Sequence, residues 1–436
     1  YMSNATCARN YFSHYVNRPF KMLGKIISFL ALTATVTFRN SNIVCGFTST
    51  FFLDDRSSLV VRCHMLSSSS LHSADATCSN DTTSTTTGSW PQDANSRHRV
   101  MERCIVPLSS SSYKGSSGRV GILGGSRKYT GAPYYASIAS LKVGADIAFC
   151  FCAEEAAVPI KSYSPELMVV PVYKASEFDE AVHQQHQYQQ QDNGDKETEQ
   201  LVKKMVEEVC FMMDKMHVLV LGPGLGRCPL VLEATARIIQ KAQSEFHLPL
   251  VIDADALFLL TLPKYRNNLL SNDSSVILTP NAMELKRIRE NDNNTTYKFP
   301  KRCLIIEKGA VDIIRQANSA LSGFNNDSTD IQADYHSDSN TSASTIMTCD
   351  EVGGLKRSGG IGDILAGTVG IFVAWNNILT NQDKATYDDL PLSCWTACCV
   401  VKQATKVAFD IHRRSMTAPD IIQELGPVIN RMTTTE

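Results

Sequence analysis

Gly353-Gly354-Leu355-Lys356-Arg357-Ser358-Gly359-Gly360-Ile361-Gly362-Asp363 runs directly into Ile364-Leu365-Ala366-Gly367-Thr368-Val369-Gly370-Ile371-Phe372-Val373-Ala374-Trp375, an apolar stretch without proline. The second run reads as a buried helix. The glycines ahead of it let backbone N–H groups turn toward one point with no Cβ in the way. A helix start adds unpaired donors and partial positive charge, so the turn should hold an anion. Asp363 then stands where a phosphate arrives. Phosphoryl transfer to a hydroxyl needs that arrangement and a structural corner does not. The same helix-start charge predicts an ionised Asp363 at neutral pH. The competing reading is a glycine-rich corner that holds nothing.

Working outward, residues 119–125 (RVGILGG) read as a buried strand ending in a glycine turn. A helix over 134–143 with proline at its start and a strand over 146–153 complete a βαβ unit. Its glycines do not fit the dinucleotide fingerprint G-x-G-x-x-G. Four more short apolar strands follow, at 217–221, 250–252, 276–278 and 303–306. They run into Gly222-Pro223-Gly224-Leu225-Gly226, Asp253-Ala254-Asp255, Thr279-Pro280-Asn281-Ala282-Met283-Glu284 and Glu307-Lys308-Gly309. Polar or glycine residues thus collect at one edge of a mostly parallel α/β sheet, the edge where such sheets bind ligands. Helices are expected over 392–409 and 418–429. Residues 183–200 read as a polar mobile loop and 322–345 as an extended surface loop.

The composition is that of a globular protein: 436 residues, 43% hydrophobic and 20% charged. A net charge of -2 gives no reason to expect nucleic acid or an anionic membrane as partner. The 14 cysteines are scattered, and Cys150, Cys152, Cys398 and Cys399 lie in apolar runs, as buried reduced thiols do. No Cys/His grouping has zinc-site spacing, and His183 and His186 read as solvated. Residues 1–100 read as separate from the domain at 101–436. An apolar run at 26–38 follows Arg18, Lys21 and Lys25, small residues precede Phe47, and 57–89 is rich in Ser and Thr with few acids. This resembles the two-part plastid presequences of algae with complex plastids. The expected address is an organelle, plastid or mitochondrion, with the cytoplasm as alternative and no membrane span in the mature part. The other reading of 1–100 is upstream translated sequence without a role.

The motifs GGSRKYTGAP, LGPGLGR, VIDADAL, LTPNAMEL, EKGAVDII and GGLKRSGGIGDILAG occur in the order seen in ATP-dependent NAD(P)H-hydrate dehydratases, and the chain over about 100–430 resembles that family. The resemblance implies a ribokinase-like α/β domain, a mostly parallel central sheet flanked by helices on both faces. It also implies ATP-dependent repair of the (6S)-hydrate of NADH or NADPH, with ATP as co-substrate and Mg²⁺ as cofactor. Lys308, Gly309, Ala310, Val311 and Asp312 resemble the first ATP-contacting segment. Gly353, Gly354, Leu355, Lys356, Arg357, Ser358, Gly359, Gly360, Ile361 and Gly362 resemble the second. Gly224 and Gly226, with Asn281, Ala282, Met283, Glu284, Leu285, Lys286 and Arg287, resemble the wall that holds the hydrate, and Asp363 the residue at its hydroxyl. Glu284 is implied as a partner of Mg²⁺ through water, against a plain helix-start role. An epimerase is the implied functional partner, and a homo-oligomer fits the family. The chain departs from the family pattern at Ser358 and Ile361, where Cys and Gln are common. Neither change removes a backbone donor.

Two alternatives use the same residues. A small-molecule kinase of the same superfamily would phosphorylate a sugar, thiazole or pyrimidine alcohol and release the phosphorylated product. A nucleotide-sensing protein without turnover would have no use for Asp363 and Glu284.

Overall fold

The computed structural model describes residues 33–40, 43–53, 59–66, 101–187, 192–290, 299–318 and 347–433. The chain divides into two compact units, Tyr1–Ser84 and Thr85–Glu436. The first contains an antiparallel sheet of β1 (Thr33–Asn40), β2 (Ile43–Leu53) and β3 (Leu59–Leu66). The run at 26–38 thus lies partly in β1, and most of the Ser/Thr-rich segment lies outside the described residues.

The second unit is built on β4 (Arg119–Leu123), β5 (Ile147–Ala153), β6 (Met168–Tyr173), β7 (Val218–Leu221), β8 (Leu250–Ile252), β9 (Val276–Leu278), β10 (Cys303–Glu307), β11 (Asp312–Gln316) and β12 (Met347–Cys349). They form one nine-stranded sheet in the order β12-β11-β10-β9-β8-β7-β4-β5-β6. All neighbours from β10 to β6 are parallel, while β11 and β12 run antiparallel at one edge. Pro171 sits in β6 at the other edge, where a missing N–H costs no ladder bond. β4 pairs β5 on one side and β7 on the other, so the chain's progress across the sheet reverses between β4 and β7. That reversal opens a crevice at the strand ends.

The helices are α1 (Gly131–Val143), α2 (Glu154–Tyr163), α3 (Ala175–Gln187), α4 (Asp192–Cys210), α5 (Pro229–Ser244), α6 (Ala254–Leu257), α7 (Pro263–Arg266), α8 (Ala282–Glu290), α9 (Ile361–Thr380), α10 (Leu390–His412) and α11 (Ala418–Thr433). α1, α9, α10 and α11 pack on one another, and α3, α4 and α5 form a second group. α9 is apolar all round because it is core on all sides: it packs on β4, β7, β8, α1 and α10. Its length and hydropathy would suit a membrane span, but 72% of that window is buried within the fold. Glycine makes the close crossing with α1, since a Cβ on Gly367 would lie 2.0 Å from the Ala136 carbonyl oxygen. Cys150, Cys152, Cys398 and Cys399 are all fully buried free thiols.

The strands read from the sequence are present within a residue or two. One expectation is corrected: much of 183–200 is helical, in α3 and α4, rather than a mobile loop. Gln, Glu and Lys are good helix formers, and α4 carries a buried stripe of Val202, Met205, Val206 and Val209. The described part of the polar run is helical. All of 322–345 lies outside the described residues.

Candidate active site

The site lies where the C-terminal ends of the parallel strands meet the start of α9. Gly360 caps α9 in the left-handed region at φ 93°, a conformation that favours glycine. A Cβ on Gly359 would meet nothing within 4 Å, and one on Gly362 only Lys308 Nζ at 3.7 Å. The turn is therefore open at its two flanking glycines, as an anion-holding turn must be. At Gly360 it is closed, since a Cβ would lie 2.8 Å from both Ala418 and the Tyr135 ring.

Lys308 Nζ donates to Asp253 Oδ1 at 2.6 Å, and Thr279 Oγ1 donates to the same oxygen at 2.8 Å. Asp253 is 1% exposed. Burial opposes the charge on Lys308, but Asp253, Glu284 and Asp363 together hold its ammonium above the usual lysine range. Burial, with the Asp253 carboxylate second, pushes the Asp363 carboxyl up to about 7, against the pull of Lys308. This corrects the expectation of an Asp363 fully ionised at neutral pH. The carboxylate's loss of water outweighs the helix-start charge, and Asp363 titrates near neutrality, where a general base works best.

On one side a cavity of about 450 Å³ is lined by Asn281, Lys308, Gly309, Ala310, Asp312, Gly353, Arg357, Ile361, Gly362, Leu365, Cys398, Val401, Lys402 and Thr405. Its lining is apolar at Leu365, Cys398 and Val401, and cationic at Lys308, Arg357 and Lys402. The turn between β10 and β11 is pinned from α10: Lys402 Nζ donates to the carbonyls of Gly309 (3.2 Å) and Ala310 (2.5 Å) and pairs with Asp312 at 3.4 Å. Asp312 in turn accepts from the Gly309 N–H at 2.8 Å.

On the other side a cleft of about 900 Å³ occupies the crevice between the ends of β4 and β7. Ser126, Arg127, Lys128 and Tyr129 line it from one strand end and Gly224 to Cys228 from the other, with Asp255 beside them. Gly224 and Gly226 both have positive φ, 62° and 81°. Asp255 Oδ2 accepts from the Gly226 N–H at 2.9 Å, and Arg227 pairs with Oδ1 at 3.1 Å. Asp253-Ala254-Asp255 joins the two spaces: its first residue holds Lys308 and its last lines the cleft.

The residues singled out in the sequence are only partly brought together. In the segment from Lys308, Val311 is 46% exposed and does not line the cavity. In the second segment Leu355 is 80% exposed, Lys356 donates to the Met416 carbonyl at 2.6 Å, and Gly354 is packed against Thr405. Arg357, Ile361 and Gly362 line the cavity, and the Ser358 hydroxyl is buried without a partner. In the segment from Asn281, Ala282, Met283 and Lys286 are exposed, while Leu285 is a core residue at 1% exposure, because helical periodicity turns it and Ile288 inward. Asn281 lines the smaller cavity, whereas Glu284 and Arg287 edge a narrow recess with Arg227 and Phe258. Asn281 and Glu284 close a capping box, each backbone N–H donating to the other's side chain at 2.9 Å. Burial raises the Glu284 carboxyl, against the Asn281 N–H and Lys308.

Asp253, Asp255 and Thr279 were read only as part of the polar strand-end edge, with no role of their own, and Lys402 was not singled out. A signal for Lys402 existed: it is the one charge in the run TACCVVKQA, and it is 8% exposed. The paired aspartates at the end of a strand were a similar signal for Asp253 and Asp255.

The fold is that of the ribokinase-like class. A ribokinase-like superfamily protein from Enterococcus faecalis superposes with a TM-score of 0.50 at 20% identity, over 77% of this chain and 94% of that one. A crystal structure of the ADP/ATP-dependent NAD(P)H-hydrate dehydratase from Bacillus subtilis, co-crystallised with ATP/Mg²⁺, gives a TM-score of 0.50 at 17% identity over 77% of this chain and 97% of that one. The sequence model of the NAD(P)H-hydrate dehydratase family matches residues 120–332. ATP-dependent (S)-NAD(P)H-hydrate dehydratases are 35% identical in Pediculus humanus subsp. corporis, over 74% of this chain and 93% of that protein. In Mus musculus the identity is 34%, over 77% and 85%. In Arabidopsis thaliana it is 34%, over 74% and 82%. The chain belongs to the ATP-dependent (S)-NAD(P)H-hydrate dehydratase family.

Proposed function

We propose that this chain uses ATP to dehydrate the (6S)-hydrate of NADH or NADPH, restoring the reduced dinucleotide and releasing ADP and phosphate. One observation carries the residue assignment. A cavity of nucleotide size and a larger cleft share one sheet edge, joined by Asp253-Ala254-Asp255, with Asp363 and Lys308 in the same electrostatic cluster. ATP takes the smaller cavity, its base against Leu365, Cys398 and Val401 and its phosphates toward Arg357, Lys308 and the open N–H groups of the α9 turn. The hydrated dinucleotide takes the cleft at Gly224 and Gly226.

Asp363 accepts the proton of the ring hydroxyl as that oxygen attacks the γ-phosphorus, and ADP leaves. The C–O bond to the new phosphate then breaks, with the electron pair of the ring nitrogen assisting. Loss of a proton from the adjacent ring carbon restores the dihydronicotinamide. Phosphate leaves far more readily than hydroxide, which is why ATP is consumed although the product carries no added phosphate.

Magnesium fits this donor set as an ion held chiefly by phosphate and water. No group of three or more His, Cys, Asp or Glu among the described residues could cage a metal, and Mg²⁺ needs few protein carboxylates. Glu284 would hold it through water, since its Oε2 already serves the capping box. The ion would neutralise charge on the phosphates.

The chain acts on the S-hydrate, so an epimerase is its expected functional partner, and the segment before residue 100 is proposed to direct it to a plastid or mitochondrion. The deciding experiment adds ATP to purified hydrate and follows the reduced-nicotinamide absorbance together with free phosphate. Matched recovery of both is expected. A phosphorylated organic product with no free phosphate would assign a plain kinase instead.

A further inference from the structure

Lys308 carries its charge over the positive end of a helix, which by itself opposes that charge. Its ammonium lies 3.7 Å from where a Cβ on Gly362 would be, over the second residue of α9. A helix start carries partial positive charge, and lysine is a strongly hydrated point charge on a flexible stem. Without an anion in the turn, the ammonium would swing toward solvent unless something held it.

Asp253 holds it. The residue is held at the ends of four successive strands, β7 to β10: its carboxylate from β9 and β10, its backbone from β7. Its Oδ1 accepts from Lys308 after β10 and from Thr279 after β9. Its own N–H donates to the Leu221 carbonyl at 2.9 Å, and a Cβ on Gly222, after β7, would lie 1.8 Å from its carbonyl oxygen. The next residue, Ala254, sits in the left-handed region at φ 46°, a strain that persists only where the surroundings impose it. Fold stability is a poor explanation for this pair, because a buried ion pair is often replaceable by apolar groups of the same volume without loss.

We infer that Asp253 is a positioning residue for phosphoryl transfer: through Lys308 it holds a cation over the anion-binding turn, beside Asp363 and within reach of the transferring group. The inference rests on the phosphoryl-transfer reading of this site. Asp253 is too enclosed to meet substrate. It acts by keeping the ammonium in place before charge develops, so that nothing need reorganise at the moment of transfer. Thr279 fixes which way the carboxylate faces. The other charges around Lys308 are Glu284 and Asp363, and neither donates or accepts a bond that would fix the ammonium over the turn.

A double-mutant cycle tests this. Phosphate release with ATP and hydrate is measured for Asp253→Asn, Lys308→Met and the pair together. Removing the charge in Asp253→Asn should lower kcat by about 10–100-fold, with KM for ATP and for hydrate within about threefold of wild type. Lys308→Met should cost about 10²–10³-fold in kcat. The pair should be no slower than Lys308→Met alone, within about threefold, because Asp253 works only through that lysine. Losses that multiply overturn the inference, as does a defect confined to KM. Thr279→Val covers the case in which Asp253→Asn does not fold. It removes one bond to the carboxylate and should lower kcat by about threefold or more, with no effect in the Lys308→Met background. An unchanged kcat overturns the inference. A wild-type protein that releases no phosphate in the presence of hydrate would overturn the phosphoryl-transfer reading itself. Wild-type turnover with multiplying losses overturns the role of Asp253 alone.

Discussion

Replacing Asp363 by Asn should stop turnover and stabilise the protein at alkaline pH, and both effects come from the same burial. The carboxyl is pushed from its ordinary 3.8 up to about 7, first by burial and then by the Asp253 charge. The folded protein therefore binds this proton more tightly than the unfolded chain does. A raised carboxyl contributes stability below the unfolded value, and that contribution drains away as pH rises from about 4 to about 7. About three units at 1.36 kcal/mol each set a ceiling of about 4 kcal/mol. Asp363 is partly open to solvent, so screening reduces this to about 2 kcal/mol. Asn has the same size and no charge to desolvate, so it escapes the penalty. The variant should gain about 1–2 kcal/mol over wild type between pH 5 and pH 8 and stay level above that. In thermal unfolding the gain is a Tm difference of roughly 1–3 °C that is largest at pH 8. Phosphate release should fall about 10²–10⁴-fold, the usual cost of a lost general base, with ATP affinity near normal. A variant that is less stable than wild type at pH 8, or whose stability difference does not change with pH, would refute the buried-base assignment. So would near-normal turnover.

In wild type, kcat/KM should rise through pH 7 and level off above it, since the working form of Asp363 is the ionised one; a profile flat from pH 6 to 8 speaks against that role. Gly359→Ala should leave Tm unchanged, because its Cβ meets no atom within 4 Å, yet raise KM for ATP by roughly tenfold by filling the anion space, as steady-state kinetics would show. Gly360→Val should fail to fold stably, given φ 93° and contacts of 2.8 Å with Tyr135 and Ala418; soluble expression and a thermal melt decide it. Lys402→Met should loosen the β10–β11 turn and leave Asp312 buried without its cation, costing about 3 kcal/mol in urea unfolding and weakening ATP binding. Removal of residues 1–84 should leave kcat within about twofold and the unfolding free energy within about 0.5 kcal/mol, and residues 1–100 fused to a fluorescent protein should enter an organelle, a diffuse cytosolic signal refuting it.

Strands β7 to β10 were legible because they are buried on both faces, so VLVL, LVI, VIL and CLII stand out as short apolar runs between turns. The helix α9 was legible for the same reason, with glycines marking its start. What the sequence could not display was geometry between segments far apart in the chain. Lys308 and Asp253 are 55 residues apart, and each looks like a charge closing a strand until the register of β8, β9 and β10 puts their side chains on one edge. Local pattern also misjudged Asp363. Its place in the first turn of α9 argued for an ionised group, but that argument counts only the helix. The larger effect comes from burial and from Asp253, on a different strand. The two aspartates and Lys308 form one unit in which each charge sets the state of the next. Asp253 keeps Lys308 cationic against burial, Lys308 keeps Asp363 from rising further, and Asp363 is left able to take a proton near neutral pH. That balance exists only in the folded sheet, which is why the motif announced a phosphate site and the structure was needed to show how its base is tuned.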